Sequence, residues 1–383
     1  MKFLHTADWH LGRQFEGHSL DDDHAIVLDQ IFTALQTHKP DALIIAGDIF
    51  DRAAPPESAV RLFNTFIERT IAETTSAIVI IAGNHDSADR IGAMAMLADR
   101  RRALVRGPLS ATEHPLILHD AHGPVAISAL PFGYEYAARE AFQDPTIKSP
   151  ADVMRAEVAA ARPHISTGAR WIIVAHAFVT GAAPSTTERP LTRVAGGIET
   201  VPADVFAGAH YVALGHIHRP QTAGAPHIRY SGSPLAFAFD EEGNEKSFAL
   251  VDLAADGTTA VGLIPFRPRR TVRTLKGTLD DILRLPASED FVNVILTDDG
   301  RLIEPMKRIR ERFPFACTLA YARDNKARQG ASSKPAATSL DDPATVATEF
   351  LTHMRSTPPS PTETHIITGA LARLATADED AAA

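Results

Sequence analysis

Short apolar runs that alternate with amphipathic segments are the feature of this sequence that most constrains its fold. Residues 2–6, 42–46 and 77–81 form short, largely apolar runs. Residues 22–38 and 56–72 lie between them and place apolar side chains three or four positions apart, a period that predicts helices. Strands without polar alternation are typical of a largely parallel sheet that is covered on both faces. The pattern therefore predicts an α/β fold.

The apolar runs continue along the chain and divide it into parts. We predict a first domain over 1–268 and a small α+β domain over 269–325, in which three strands alternate with two helices. Residues 326–339 are rich in Ala, Ser, Lys and Gly and are typical of a linker. Residues 340–377 predict a helix–loop–helix, whose second helix has a capping box at Ser360 and Glu363. The later strands of the first domain are predicted at 125–130, 171–175, 211–214, 228–231, 248–253 and 259–265.

Polar residues stand at the ends of five of these runs. Ligands of α/β sheets bind beyond the carboxyl ends of the strands, so these side chains are expected to meet at one rim. Glycine precedes the polar residue in three runs, at Gly47, Gly83 and Gly215, where the backbone must turn tightly or approach another group closely. The metal-ligand types among these residues are Asp8, His10, Asp48, Asn84, His176, His216 and His218.

Seven donors are more than the four that one tetrahedral zinc ion takes. They suit two divalent ions, about 3.5–4 Å apart, that share a carboxylate and a water. The mixture of imidazole, carboxylate and amide fits Mn²⁺, Fe²⁺ or Zn²⁺. Two such ions activate a water and hold the oxygens of a phosphate for in-line attack. The donor set therefore predicts a two-metal centre for phosphate ester hydrolysis.

Three further residues are predicted to assist this centre. His85 is placed beside the metals, where it would protonate a leaving oxygen or stabilise transition-state charge. Asp86 would orient His85, and Asp51 would support the metal ligands from behind.

The motifs resemble those of the calcineurin-like metallophosphoesterases: DxH at 8–10, GDxxD at 47–51, GNHD at 83–86, a lone histidine at 176 and GHxH at 215–218. Longer segments are similar to those of the SbcD nuclease subunits, relatives of the Mre–Rad break-repair nucleases. These segments are HTADWHLGR (5–13), GDIFDR (47–52), AGNHDS (82–87) and YVALGHIHRPQ with RYSGSP (211–234). The resemblance runs from residue 1 to about 253 and continues, more weakly, into the small domain.

The resemblance implies a four-layer β-sandwich flanked by helices, with a small α+β capping domain and C-terminal helices. It assigns Asp48 as the ligand shared by two ions, Mn²⁺ in preference to Mg²⁺, and His85 as the catalytic histidine. The first ion would also bind Asp8, His10 and His218, and the second would also bind Asn84, His176 and His216.

The resemblance also implies a function and partners. It implies a DNA nuclease of repair, recombination and replication, with exonuclease activity on duplex ends, commonly 3′→5′, and endonuclease activity on single strands and hairpins. The partner would be an SbcC-like, SMC-type ATPase that binds the C-terminal segment. A homodimer through helices 22–38 and 56–72, within a heterotetramer, is also implied. The apolar stripes of those helices equally suit simple coverage of the sheet.

The net charge of −9 argues mildly against a general polyanion binder, but basic residues cluster locally. Residues 301–335 hold nine Lys or Arg and three Asp or Glu, and Arg100, Arg101 and Arg102 form a further cluster. Such residues predict phosphate contacts, although solvated helix faces have the same composition. The most concentrated cluster, without any acid, consists of Arg267, Arg269, Arg270, Arg273 and Lys276.

Cysteine content and hydropathy bear on the setting of the protein. The single cysteine, Cys317, excludes an intrachain disulfide and favours a reducing, cytoplasmic compartment. Association with the nucleoid is implied by the resemblance alone. No apolar run approaches the roughly 20 residues that span a bilayer, so no membrane association is expected.

Two other functions are consistent with the fold. The first is a metallophosphoesterase that acts on a phosphoprotein or a small phosphodiester. The predicted capping domain, the basic clusters and the SbcD-like sequence motifs argue against it. The second is a catalytically dead scaffold. Because such proteins usually lose metal ligands, the presence of all seven donors argues against it.

Overall fold

The computed structural model describes residues 1–97, 102–188, 193–194, 197–198, 200–323, 348, 350–352, 354–355 and 357–380; the side chains of 193–194, 197–198 and 371–380 are not described. Met1–Ala320 form one compact unit, and the described residues from Tyr321 onward belong to a second. None of the helices in these described ranges is both long and apolar enough to cross a bilayer.

The strands, numbered in chain order, are β1 (Lys2–Thr6), β2 (Gln14–Phe15), β3 (His18–Ser19), β4 (Ala42–Ala46), β5 (Ala77–Ile81), β6 (Ala103–Arg106), β7 (Leu116–Asp120), β8 (Gly123–Leu130), β9 (Arg170–His176), β10 (Arg193–Val194), β11 (Gly197–Ile198), β12 (Tyr211–Gly215), β13 (Gln221–Ala223), β14 (Ala225–Tyr230), β15 (Ser247–Leu253), β16 (Thr259–Pro265), β17 (Val272–Gly277), β18 (Phe291–Leu296) and β19 (Ala316–Tyr321).

The α-helices are α1 (Asp21–His38), α2 (Glu57–Glu73), α3 (Ala88–Met94), α4 (Glu135–Phe142), α5 (Pro150–Ala161), α6 (Leu279–Arg284), α7 (Pro305–Arg310) and α8 (Pro361–Asp380). Short 3-10 turns occupy Ala95–Leu97, Arg162–His164, Ala203–Phe206 and Phe239–Glu241.

Two six-stranded sheets form the body of the first unit. The first has the order β16-β15-β1-β4-β5-β6, and the second has the order β13-β14-β12-β9-β8-β7. Strands β1, β4, β5 and β6 are parallel, with β6 at one edge of the first sheet, and β8, β9, β12 and β14 of the second sheet are also parallel. Antiparallel strands close the edges at β15–β16, β13 and β7.

Alternate residues of each inner strand belong to different cores, which explains why these strands are apolar throughout. Ile44 and Val79 of the first sheet share a core with Ile172 and Ala213 of the second. Residues on the opposite face of the first sheet pack against α1 and α2, and those of the second pack against α5. The layers are therefore helices, sheet, sheet and helices.

The α/β class and the sandwich implied by the resemblance are confirmed. The apolar pattern predicted a largely parallel sheet covered on both faces, and both sheets agree with it, although one cover of each is the other sheet. Each sheet has helices on one face and the other sheet on its second face. A second sheet buries a strand face as completely as helices do, so the sequence pattern of the strand is the same in both cases.

The small α+β part consists of β17-β18-β19 with α6 and α7, and it packs on the sandwich within the same compact unit. Phe291 of β18 stacks on Phe15, with ring centroids 4.7 Å apart. Arg270 forms a buried ion pair with Asp23 of α1, and its guanidinium lies over the rings of Phe291 and Phe315. Because Arg270 is used in this way, it fastens the small part to α1 rather than facing a nucleic acid.

Glu157 of α5 is a buried carboxyl group, and its Oε2 has no hydrogen-bond partner in the described structure. Burial, reinforced by the nearby Glu113, raises its pKa well above the usual range. As pH rises above the unfolded-state pKa, the unfolded chain releases this proton while the folded chain retains it, so stability is lost.

Glu157→Gln is therefore expected to raise the free energy of unfolding by about 1–3 kcal/mol at pH 8. The gain should vanish at about pH 3, well below the unfolded-state pKa, where both states keep the proton. Urea unfolding at the two pH values measures it, with the exposed Glu68→Gln as the control. An equal gain at both pH values would contradict the titration argument.

The second unit contains α8, whose start was predicted correctly. Ser360 Oγ accepts a hydrogen bond from the backbone N–H of Glu363, and Glu363 Oε2 accepts one from the N–H of Ser360, which forms the predicted capping box. Residues 348, 350–352 and 354–355 are helical. The predicted linker 326–339, residues 340–347, and Arg100 and Arg101 lie outside the described residues.

Candidate metal centre

The five polar strand ends of the sequence meet at one place, but they come from two sheets. The ends of β1, β4 and β5 in the first sheet supply Asp8, His10, Asp48 and Asn84, and the ends of β9 and β12 in the second supply the remaining donors. The structure brings together all seven predicted ligands. Apart from the partly exposed Asn84, these residues are buried.

The glycines before the ligands are required by close approaches, across the sandwich at Gly47 and Gly215 and within the first sheet at Gly83. A Cβ on Gly215 would lie 1.9 Å from the carbonyl oxygen of Ala46, across the sandwich. A Cβ on Gly47 would lie 2.5 Å from Nδ1 of His176, and one on Gly83 would lie 2.2 Å from Oδ1 of Asp48. The predicted reason for these glycines is thus confirmed, and any larger residue would push the ligand groups apart.

Backbone strain is concentrated at the same residues. Asp8, His10 and Asp48 have φ values of 54°, 48° and 49°, and His216 has a φ of 103°. Positive φ is unusual for residues other than glycine, and it persists where the surrounding structure enforces it. The strand therefore ends at Gly215, and the backbone turns at His216. Ile217, between the two histidines, is buried in the core.

The donors fall into two sets on either side of Asp48. On one side, His10 Nε2 lies 3.7 Å from Asp48 Oδ2 and 3.1 Å from His218 Nε2. Donor atoms of Asp8, His10 and His218 lie within 4.8 Å of one another.

On the other side, His176 Nε2 lies 3.5 Å from Asp48 Oδ2 and 3.0 Å from Asn84 Oδ1. His216 Nδ1 lies 3.1 Å from the same Asn84 oxygen. His176 Nδ1 bonds to the carbonyl of Ala46, which leaves Nε2 directed at the cluster. Donor atoms of Asp8, Asp48 and His176 also lie within 4.8 Å of one another, so Asp8 lies close to both sets.

The electrostatics of the cluster fit a site for cations. Burial lowers the pKa of His10 to about 3 and that of His216 well below its usual value, so both rings are neutral, the form that binds metals. Burial opposes charge on His176, but the Asp48 carboxylate raises its pKa to about 9. Asp8 Oδ2 is buried and has no hydrogen-bond partner, although Oδ1 accepts the N–H of His216. Burial raises the pKa of Asp8 well above its usual range. An unpartnered buried carboxyl oxygen among imidazole rings suits a divalent ion, whose charge would favour the ionised form.

His85 lies beside this cluster. Its ring centroid is 4.6 Å from that of His10, and its backbone N–H donates to Asp48 Oδ1 over 2.8 Å. His85 Nδ1 bonds to the carbonyl oxygen of Asp51 over 2.8 Å, and a carbonyl only accepts, so Nδ1 carries a proton. Proton exchange with a bound molecule would then take place at Nε2.

Asp51 and Asp86 occupy positions around the cluster. Asp51 Oδ1 lies 3.6 Å from His10 Nδ1 and accepts a hydrogen bond from Arg13, which is consistent with support from behind. The carboxylate of Asp86 accepts the backbone N–H groups of Gly83, Ile49 and Phe50. The contact observed at His85 Nδ1 is therefore the Asp51 carbonyl, whereas Asp86 joins the two loops that carry Asp48 and Asn84.

Comparison with known proteins places this geometry in a family. Residues 1–220 match the family model described as Calcineurin-like phosphoesterase, and residues 268–355 match the model described as Type 5 capsule protein repressor C-terminal domain, SbcD_C. A curated relative, the SbcD subunit of the nuclease SbcCD of Staphylococcus saprophyticus, is 30% identical over 323 residues, which cover 83% of this chain and 84% of the relative. The chain belongs to the SbcD family of calcineurin-like phosphoesterases.

Membership in this family makes the chain a metal-dependent hydrolase of phosphodiester bonds. A solved structure described as "GAP50 the anchor in the inner membrane complex of Plasmodium" is also similar, with a TM-score of 0.40 and 11% identity. The similarity covers 69% of this chain and 84% of that one. At this distance it bears on neither function nor partners.

In this SbcD-family chain, several residues that support His218 were missed by the sequence reasoning. Thr187 Oγ1 lies 2.8 Å from His218 Nδ1 and donates to Glu241, and Glu188 Oε1 accepts the N–H of His218. Lys246 forms a buried ion pair with Glu241 and donates to the carbonyl of His218. Apart from the Lys246–Glu241 pair, these contacts span 28 to 54 residues of sequence, so no local motif could reveal them. Thr187 and Glu188, which follow β9, thus reach the candidate metal centre.

The basic clusters of the small part are largely paired with acids. Arg269 contacts Glu289, Arg273 contacts Asp290, and Arg270 is buried against Asp23. In α7, Lys307 contacts Glu304, and Arg308 lies 3.8 Å from Asp280. The phosphate contact expected of Arg270 is therefore wrong, because this side chain is buried, whereas Arg269 and Arg273 remain partly exposed.

Proposed function

We propose that this chain is a metal-dependent DNA nuclease of the SbcD type. The observation that carries the proposal is the pair of donor sets on either side of Asp48, in a chain related to a nuclease subunit. We assign Asp8, His10, Asp48 and His218 to one ion and Asp48, Asn84, His176 and His216 to a second. Mn²⁺ suits their mixed oxygen and nitrogen donors.

The residues of the centre have separate tasks in this proposal. Bound ions would supply an activated water and neutralise the charge of the phosphate oxygens. His85 would donate a proton from Nε2 to the leaving oxygen, and the Asp51 carbonyl would hold the ring by its Nδ1. The Asp51 carboxylate would hold His10, and Asp86 would fix the spacing of the two ligand loops.

We propose duplex ends, hairpins and single strands of DNA as substrates, with 3′→5′ exonuclease and endonuclease activity, in repair, recombination and replication. The partner would be an SbcC-like ATPase of the SMC type that binds the segment 340–377, and the location would be the cytoplasm, at the nucleoid. A homodimer within a heterotetramer would use α1 and α2, whose outer surfaces expose Ile26 and Ile71. The division into 1–268 and a DNA-capping part at 269–325 belongs to the same proposal.

One observation favours a second candidate, a phosphodiesterase for small substrates. The arginines that were expected to hold DNA are paired with acids, which weakens the electrostatic argument for a long polyanion.

Digestion of end-labelled linear duplex, hairpin and single-stranded DNA distinguishes the two candidates. We expect Mn²⁺-dependent cleavage of single strands and hairpins, and cleavage of duplex ends that is stimulated by an SbcC-type ATPase with ATP. A small chromogenic phosphodiester is assayed in parallel with the same metal-loaded preparation. Hydrolysis of the small ester with no cleavage of any DNA, with or without the ATPase, would overturn the nuclease proposal in favour of the second candidate.

A further inference from the structure

A cleft of about 460 Å³ opens beside Asn84, one of the candidate metal ligands. Its volume lies within the range of small-molecule binding sites, roughly 300–1,000 Å³. One wall is formed by Phe132, Tyr134 and Tyr136, which we call the aromatic shelf. The cleft is continuous with the metal centre, because Asn84 belongs to both.

The rings of the aromatic shelf form a series that leads away from the metal centre. The centroid of Phe132 lies 6.4 Å from that of His176, and the centroid of Tyr134 lies 4.9 Å from that of Phe132. Tyr136 stacks on Tyr134 with a centroid distance of 5.6 Å and an interplanar angle of 11°. The outer tyrosines are 45% and 65% exposed, so their rings are accessible from solvent.

Local structure fixes the aromatic shelf relative to the ligand loop. The backbone N–H of Phe132 donates to the carbonyl of Ala82, two residues before Asn84. Tyr134 is the N-terminal cap residue of α4, and Tyr136 lies in the first turn of this helix. A Cβ on Gly133 would lie 2.4 Å from Leu109, so the backbone between Phe132 and Tyr134 packs closely against this side chain. The shelf is therefore a preformed surface.

The charges of the cleft indicate which part of a nucleotide it accepts. Its described lining includes Asp86 and Glu140 but no lysine or arginine, so it offers no counter-charge to a phosphate. Exposed, mutually stacked tyrosines instead present flat apolar faces to a planar ring. Base–aromatic stacking is the interaction by which proteins hold single-stranded nucleic acid without reading its sequence.

We propose that the aromatic shelf stacks an unpaired base of the DNA substrate next to the scissile phosphate. This inference rests on the proposed nuclease function and specifies a substrate class for it. A base inside a duplex is stacked on its neighbours and cannot lie on the tyrosines. The shelf therefore favours single strands, hairpin loops and frayed ends, with little preference for sequence.

The test compares two single-stranded oligonucleotides with the full chain and Mn²⁺. One strand is normal, and the other has abasic sites at the nucleotides around the cleaved bond, so that every phosphate is kept. Binding is measured by fluorescence anisotropy and cleavage as kcat/KM. We expect Tyr134→Ala with Tyr136→Ala to lower kcat/KM and affinity on the normal strand by about 5- to 100-fold. The abasic strand should already be bound and cleaved poorly by the wild-type chain, and the substitutions should not change its kcat/KM or affinity further.

Three controls accompany the double variant. The pair Tyr134→Phe and Tyr136→Phe keeps the rings and should retain the wild-type preference for the normal strand. Leu263→Ala removes another exposed apolar side chain, on β16, and should change nothing. Thermal unfolding and Mn²⁺ titration verify that the alanine variant folds and binds metal.

The remaining outcomes count against the proposal in distinguishable ways. Equal losses on both strands would mean that the tyrosines support the metal centre or bind another partner, not a base. An unchanged alanine variant, or a wild-type chain that treats the two strands alike, would also overturn it. Failure of the wild-type chain to bind or cleave either strand, while it hydrolyses a small phosphodiester, would overturn the nuclease proposal itself.

Discussion

Asp48→Asn is expected to remove both metal ions and, with them, the hydrolytic activity. Oδ2 of Asp48 faces His176 Nε2 at 3.5 Å on one side and His10 Nε2 at 3.7 Å on the other. The substitution keeps the size of the side chain and the oxygen that accepts the N–H of His85. It removes the negative charge that both donor sets share. We therefore expect the metal content to fall from about two ions per chain to near zero.

Elemental analysis after dialysis against Mn²⁺ measures the metal content, and hydrolysis of a small phosphodiester measures the activity. Activity is expected to fall by about three orders of magnitude or more, because the reaction depends on both ions. Asp89→Asn, an exposed carboxylate of α3, serves as the matched control. Retention of one full equivalent of metal by the Asp48 variant would show that the carboxylate is not shared.

His85→Gln is expected to abolish cleavage while metal binding continues. His85 lies outside both donor sets, and its Nδ1 is held by the carbonyl of Asp51. Loss of a general acid typically lowers a rate by about 100- to 10,000-fold. Metal content and cleavage of a single-stranded oligonucleotide are measured on the same preparation. A general acid assists the departure of a poor leaving group. The His85 variant should therefore lose much less activity on a small ester whose leaving group is activated.

His122→Gln provides a matched histidine control, since His122 is exposed in the turn between β7 and β8. A His85 variant that cleaves DNA at the wild-type rate would disprove the proposed role. One that loses both activity and metal would instead place His85 among the ligands.

The centre was predictable because its residues lie at the ends of parallel strands, where position in sequence determines position in space. Asp8, Asp48 and His176 each follow a buried apolar run, so a strand pattern together with a donor type was sufficient to find them. The glycines at 47, 83 and 215 were predictable for the same reason. The detailed cause for Gly47 and Gly215, contact across the sandwich, required the second sheet.

The features that could not be predicted from the sequence depend on contacts between residues that are distant along the chain. The two sheets have the same apolar pattern, because each strand is buried on both faces whichever layer covers it. Thr187, Glu241 and Lys246 join His218 through side chains that no local spacing connects. Arg270 was wrongly counted among the residues available to phosphate, since its partner Asp23 lies 247 residues away.

Because the donors come from both sheets, an ion at this centre would join the two layers of the sandwich as a cross-link does. Asp48 belongs to one layer and His176 to the other, and glycines hold their backbones in direct contact. Neither layer contains a complete donor set, so neither could act as a separate enzyme. Binding only to the assembled layers adds RT ln(1 + [metal]/Kd) to the free energy of unfolding, about 2.7 kcal/mol at 100 times Kd. The cellular concentration of metal would then affect the stability of the sandwich as well as its rate of hydrolysis.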